Sequence, residues 1–214
     1  MAALTMTVTL DMRLLALLTA RLCHELSAPI GAVGNGVELL GEDDPDFVRD
    51  AVTLVQDNAR RAANRLRFYR FCYGFGGDAG SAGPAPGELA AELFAGTPIT
   101  CDYTERVRAL PLDWQKLGCN LLLVGAEALV RGGLLVLDTA PNGLQLEVAG
   151  ESASLAPEQA AALWLETPVG AVTSRTVQAY FSGLLARALG SRLVGSAESL
   201  GRFRLSSLEA PDRK

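Results

Sequence analysis

A chain of 214 residues is long enough for one or two packed domains. Its 49% hydrophobic content and mean hydropathy of +0.22 supply a core and argue against disorder. The formal charge of −5 and pI near 5.0 leave no electrostatic footprint for nucleic acid, and a single histidine excludes metal centres built on histidine clusters.

The N-terminus lacks a basic stretch followed by an apolar core and cleavage site, so no signal peptide is expected. No run approaches ~18 uninterrupted apolar residues, so no membrane span is expected either. Cys23, Cys72, Cys101 and Cys119 are scattered and form no C-x-x-C pair. They read as reduced, buried thiols of a cytoplasmic protein.

The first predicted element is a long helix from Thr9 or Asp11 to Gly41. Its apolar stripe runs Leu14, Leu18, Leu22, Leu26, Ile30, Val33, Val37 and Leu40 at helical spacing. Pro29 removes a backbone donor and predicts an interruption or bend, and Gly31, Gly34 and Gly36 weaken the turns beyond it. Asp44-Pro45 reads as an N-cap followed by proline at the first helical position. A second helix then runs to about Tyr73, with Val48, Ala51, Val52, Val55, Ala59, Ala62, Leu66 and Tyr69 near its apolar face. A lone hairpin of two such helices cannot cover its own apolar stripe. Two copies paired into a four-helix bundle can, so a homodimer is expected, with an interface of roughly 2,000 Å² or more.

The glycine-, proline- and alanine-rich run from Gly74 to Gly87 reads as a linker. The chain therefore divides into a helical hairpin (1–76), a linker (77–87) and a mixed α/β domain (88–214). Within the last, Asp113 is expected to cap a helix ending at Arg131, with Gly132-Gly133 as its stop. Leu134–Thr139 and Leu144–Val148 flank Pro141-Asn142-Gly143 as a β-hairpin. Helices are expected over Ala156–Leu165 and Thr173–Leu189, and closing strands over Arg192–Val194 and Phe203–Leu208. Trp114 and Trp164 are read as core residues.

His24 lies in Arg21-Leu22-Cys23-His24-Glu25-Leu26-Ser27-Ala28-Pro29. At ~100° per residue it falls off the apolar stripe, on a face shared with Ala20, Ala28, Gly31 and Asn35. Three of those four neighbours are small, with Leu17 the long exception two turns back. A structural or merely exposed histidine is the plain alternative, but it does not predict so bare a surround. A lone imidazole on an open helix face, beside a carboxylate and ahead of a proline, suits a nucleophile that accepts and donates a phosphoryl group.

The segment His24-Glu25-Leu26-Ser27-Ala28-Pro29 resembles the phospho-accepting H box of sensor histidine kinases, whose pattern is H-E-x-x-x-P. The second domain resembles the kinase ATP-binding domain in outline. Asn120-Leu121-Leu122 with Gly132-Gly133 matches the frame of the N box, and Arg187-Ala188-Leu189-Gly190-Ser191-Arg192-Leu193 resembles a helix-to-strand passage near the kinase C-terminus. The nucleotide residues are missing. The magnesium-binding asparagine falls on Val124; Val148-Ala149-Gly150-Glu151-Ser152-Ala153 stands where D-x-G-x-G belongs; and Arg175-Thr176-Val177-Gln178 stands near the second glycine box. A phosphate cradle needs glycines for close backbone approach and an anchor for Mg²⁺.

An intact H box joined to a nucleotide domain without nucleotide residues is similar to the ChpT family of histidine phosphotransferases, which relay phosphate in alphaproteobacterial cell-cycle signalling. Ala20-Arg21-Leu22-Cys23-His24, Asn35-Gly36-Val37-Glu38-Leu39-Leu40 and Val177-Gln178-Ala179-Tyr180 support the resemblance. It implies a fold of dimeric four-helix bundle plus α/β sandwich. It implies receiver domains of a hybrid histidine kinase and of response regulators as partners, and no cofactor bound by this chain.

His24 then takes the phosphoryl group from a receiver aspartate through its outer ring nitrogen. An ordinary imidazole, with a pKa of about 6.5, is largely neutral at pH 7 and so nucleophilic. Glu25 is expected to hydrogen-bond the other ring nitrogen; its plain alternative is a solvated helix carboxylate. Mg²⁺ is expected in the receiver, since no carboxylate cluster surrounds His24. Arg21, Ser27, Ala28, Gly31, Asn35, Arg67 and Arg70 are the candidate partner-binding residues.

Arg60, Arg61, Arg65, Arg67 and Arg70 form a basic band on the second helix. It suits either the acidic rim of a receiver or the nearby Asp43, Asp44, Asp46 and Asp50. In bifunctional kinases the position four after the histidine carries Thr or Asn, which can hold a hydrolytic water; here it is Ala28. The competing functions are a non-catalytic, kinase-like dimeric adaptor or inhibitor of a two-component kinase, which would not need His24-Glu25, and an autophosphorylating kinase, which Val124 and the lost glycine boxes disfavour.

Overall fold

The computed structural model describes residues 9–74, 84–141 and 143–209. Helix α1 (Met12–Leu39) is capped by Asp11, whose side chain accepts from the Arg13 backbone N–H. The helix passes through Pro29 as one unbroken element, so the expected interruption does not occur. Helix α2 (Pro45–Tyr73) opens as its sequence requires, with Asp44 accepting from the Asp46 N–H and Pro45 in the first turn. The two helices approach closely at Gly36, where a Cβ would sit 2.7 Å from Val55 Cγ2.

The linker assignment needs correction. Residues 75–83 lie outside the described set, as does Asn142 of the expected hairpin turn, and a helix α3 (Pro86–Phe94) already begins within 77–87. Pro86 and Gly87 are buried, with Pro86 at the first helical position and Glu88 accepting from the Ala85 N–H. A strand β1 (Ile99–Tyr103) and a short helix α4 (Glu105–Arg108) follow; neither was expected. Helix α5 (Leu112–Glu127) starts after Pro111, so Asp113 is a first-turn residue rather than the cap, and it ends one turn before Arg131. Gly132 and Gly133, at φ +88° and +148°, make the turn into the sheet.

Strands β2 (Gly133–Ala140) and β3 (Gly143–Ala149) form the expected antiparallel pair, Leu137 opposite Leu146. Helix α6 (Pro157–Leu163), a 3-10 turn (Val169–Ala171) and helix α7 (Val177–Ala188) lead to β4 (Ser191–Ser199) and β5 (Arg202–Glu209). The five strands lie in the order β1-β2-β3-β5-β4, with β1 parallel to β2 and the other neighbours antiparallel. Leu144, Leu146 and Val148 of β3 are fully buried and alternate with half-buried Gln145, Glu147 and Ala149, so one face of the sheet carries the core. Helices α5 and α7 cover that face.

The core does not stop at the domain boundary. Leu14 and Leu18 of α1 and Phe68, Tyr69 and Cys72 of α2 belong to the same buried cluster as Leu117, Leu121 and Phe181. The rest of the hairpin runs beyond the sandwich, and there Ile30, Val37 and Leu66 of the predicted stripe surface, as does Phe47 outside it; all are half or more exposed. Trp114 packs against the core, but Trp164 is 41% exposed, contrary to its reading as a core residue. Of the cysteines read as buried only Cys72 and Cys119 are so, Cys101 being half-buried and Cys23 exposed on α1.

Candidate functional site

Burial sets the roll of α1. Its buried residues Leu14, Leu18, Pro29 and Gly36 lie roughly 80–140° around the helix from His24. The imidazole therefore emerges at the edge of the packed face, in solvent. Ala20, Ala28, Gly31 and Asn35 are exposed on the same line, and a Cβ at Gly31 would meet nothing within 4 Å. Leu17 is half-buried against the core and adds little relief to the surface. The neighbouring Ser27 hydroxyl donates to the Cys23 carbonyl at 2.7 Å, so it is turned onto its own helix.

Glu25 is placed differently from its expected role. Residues one apart on a helix diverge by ~100°, and the Glu25 carboxylate points across the hairpin. There the Arg65 guanidinium donates to Glu25 Oε2 at 2.5 Å and to the Glu25 carbonyl at 3.0 Å. No hydrogen bond joins Glu25 to His24 among the described residues.

Arg21, one turn before His24, is also not free for a partner. Its side chain is 12% exposed and pairs with Glu127, at the end of α5, at 2.6 Å. Burial opposes the Arg21 charge, yet Glu127 and, to a lesser degree, Tyr69 and Tyr73 hold its pKa above the ordinary range. Burial pushes the Glu127 carboxyl up despite the pull of Arg21. Gln159 of α6 donates to the second Glu127 oxygen at 2.6 Å, which ties α1, α5 and α6 together beside the site.

The arginine band is mostly spoken for. Arg60 pairs with Asp57, Arg65 with Glu25, and Arg67 with Glu92 of α3 as well as the Asn64 side chain. Arg70 is exposed and makes no ion pair among the described residues. The acidic N-terminal part of α2 is not what answers the band; local and cross-domain carboxylates do.

The positions compared with the kinase N box serve packing and interdomain hydrogen bonds. Val124 is fully buried. Asn120 donates to the Cys72 carbonyl at 3.2 Å and accepts from Gln178 at 3.0 Å. Gln178 in turn accepts from the Tyr73 hydroxyl at 2.6 Å. Lys116 donates to the Gly74 carbonyl, and burial lowers its pKa while Asp113 partly restores it. These contacts bolt the end of α2 onto α5 and α7. Sequence reading missed them, because a buried polar residue looks like any other until its partner, here 42 to 105 residues away, is known. No group of three or more His, Cys, Asp or Glu side chains that could hold a metal occurs among the described residues. No helix there is long and apolar enough to cross a membrane.

A solvent-exposed histidine midway along the first helix of a hairpin, joined to a five-stranded α/β sandwich, defines a class of histidine-bearing phosphotransfer proteins. The family model for the histidine phosphotransferase C-terminal domain matches residues 87–199. The chain is 34% identical over 191 residues to the protein phosphotransferase ChpT of Brucella abortus (strain 2308), covering 83% of this chain and 87% of that protein. A solved structure described as a bacterial phosphotransferase superposes with a TM-score of 0.73 at 30% identity, over 95% of this chain and 100% of the other. The chain belongs to the ChpT-type histidine phosphotransferase family, and its function is phosphotransfer in a phosphorelay.

Proposed function

We propose that this protein shuttles a phosphoryl group between the aspartates of two receiver domains through His24, as a homodimer and without using ATP. The observation that carries the reading is the bare, exposed line of Ala20, His24, Ala28, Gly31 and Asn35. A receiver must bring its phosphoaspartate within bonding distance of the imidazole, and a line of small side chains permits that approach.

In the first half-reaction the His24 Nε2 lone pair attacks phosphorus. The N–P bond forms as the P–O bond to the aspartate breaks, and the carboxylate leaves with the electron pair. The ring then carries Nδ1–H and a positive charge. In the second half-reaction a carboxylate oxygen of another receiver attacks, and the N–P electrons return to the ring. The Mg²⁺ that such transfers use would be held by the receiver, because no ligand cluster is present among the described residues of this chain. A carboxylate on Nδ1–H, supplied by Glu25, would stabilise the charged ring.

The dimer rests on the uncovered stripe. Ile30 and Val37 lie roughly 120–140° from His24, on the opposite side of α1 from the residues packed within the chain. A second copy can cover them, together with Phe47 and Leu66, and leave both imidazoles free. The reading without ATP is supported by Val124 and Asn120, which serve packing and interdomain hydrogen bonds. The cell-cycle setting implied by the family belongs to the same proposal.

One paired experiment tests the core of the reading. The protein is incubated with a labelled phospho-receiver and Mg²⁺, and separately with labelled ATP and Mg²⁺. Label on the protein in the first case only is expected; label from ATP alone would overturn it.

A further inference from the structure

Arg65 is the one arginine of the α2 band that reaches the residue beside the nucleophile. It holds that residue twice, by the Glu25 carboxylate and by the Glu25 backbone carbonyl. The two side chains are 37% and 28% exposed, so the pair is partly withdrawn from water yet within reach of solvent. We propose that Arg65 is a positioning residue of the phosphotransfer site: it holds the Glu25 carboxylate on α2, off the His24 ring, until a receiver displaces it. The inference rests on the reading of Glu25 as the ring's carboxylate partner.

Three observations make the arrangement a competition. First, the default direction of Glu25 is ~100° around the helix from His24, so reaching Nδ1–H requires a change of side-chain rotamer, and the contact with Arg65 opposes that change. Second, the other cation on this side of α1, Arg21, is engaged with Glu127. Among the described residues, Arg65 and Tyr69 on α2, Arg21 on α1 and Glu127 on α5 are the charged and titratable groups that face Glu25, and only Arg65 hydrogen-bonds it. Third, Arg65 remains over one-third exposed, so an incoming anion can reach its guanidinium. A phosphorylated receiver brings such an anion, both in its phosphoryl group and in its metal-binding carboxylates.

Release of Glu25 then coincides with docking. The freed carboxylate accepts the Nδ1–H hydrogen bond, which stabilises the positive ring formed when Nε2 takes the phosphoryl group. No proton needs to leave the ring for the step to balance. Without a docked receiver the carboxylate returns to Arg65, and the ring loses that support.

The chain's single histidine makes the test direct, because one imidazole resonance pair reports the site in the intact protein. The titration midpoint of His24 is followed by NMR in the native chain, Arg65→Gln, Arg65→Lys, Glu25→Gln and the double variant Arg65→Gln/Glu25→Gln. Arg65→Gln frees Glu25 for the ring, and the midpoint is expected to rise by about one unit, as for a carboxylate brought against an imidazolium. Arg65→Lys keeps a cation on Glu25 and should stay near the native value. Glu25→Gln alone should leave the midpoint in place, and the double variant should lose most of the rise.

An unchanged midpoint in Arg65→Gln overturns the proposal. An equal rise in Arg65→Gln and the double variant does so too, since it would reflect only a lost positive charge. Should Arg65→Gln fail to fold, Glu25→Gln still decides: a fall of about one unit would mean that Glu25 already sits on the ring. Phosphate uptake by Glu25→Gln separates this proposal from the reading beneath it. Reduced uptake with a flat Arg65→Gln titration removes only the role of Arg65, whereas unchanged uptake removes the role of Glu25 as well.

Discussion

The sandwich and the base of the hairpin close over one shared core; the rest of the hairpin stays open. In the sandwich, α5 is buried from Gln115 to Gly125 and α7 from Val177 to Ala186, and even their polar residues Asn120, Gln178 and Ser182 have partners. In the hairpin beyond Leu22, the chain leaves two faces open. One is polar and nearly bare around His24; the other is apolar, with Ile30, Val37, Phe47 and Leu66 uncovered. The contrast separates two kinds of service. The sandwich is a closed support, held to the end of α2 by packing and interdomain hydrogen bonds. The hairpin carries the open faces, and in the proposed reading each meets a different partner.

The largest effect should come from the polar face. His24→Ala removes the nucleophile from a position outside the core, so label retained from a phospho-receiver should vanish while circular dichroism and light scattering stay unchanged. A collapsed fold would return His24 to a structural role and erase the contrast between the two regions.

Ala28 sharpens the same face. It lies one turn beyond His24 and has no group to hold a hydrolytic water, so Ala28→Thr should raise release of free phosphate from a phospho-receiver by about 10²-fold, the scale of a positioned acid–base contribution. Release by the native chain as fast as by the threonine variant would show that this position does not limit hydrolysis.

The apolar face is tested by Ile30→Asp combined with Val37→Asp. Light scattering should give twice the 22.5 kDa chain mass for the native protein and the single mass for the variant. A native monomer would mean that the exposed stripe serves something other than self-association.

The smallest effect belongs to the closed region. Asn120→Ala removes the bond to the Cys72 carbonyl and leaves Gln178 short of an acceptor, and should lower unfolding stability by about 1–3 kcal/mol. Denaturant unfolding measures it. Phosphate uptake should remain, since Asn120 bolts the domains together and lies outside the His24 face.

Local pattern made much of the molecule legible. Asp11, Asp44 and Pro45 mark the starts of α1 and α2, because capping is satisfied within a few residues of sequence. The β2–β3 pair was legible from alternation around a glycine turn. Elements without such punctuation escaped: β1, in Ile99-Thr100-Cys101-Asp102-Tyr103, pairs in parallel with β2 across some thirty residues and has no adjacent turn to announce it. α3 was hidden because its first residues, Pro86 and Gly87, read as linker composition. At the site, helix periodicity alone placed His24 off the core with small neighbours, and the family resemblance supplied its chemistry.

What sequence by itself determined is the hairpin, the open histidine face and the sandwich outline, since all depend on short-range spacing and residue type. What only the tertiary structure decided is where the charges go. Arg21, Arg65 and Arg67 read alike on a helical wheel as candidates for a partner or for solvent, yet their carboxylates stand at Glu127, Glu25 and Glu92, on other elements. The physical reason is reach. A helix sets the direction in which a long side chain leaves the backbone, but an ion pair forms with whatever group the packed fold brings within a few ångströms, and that neighbour is set by the whole core.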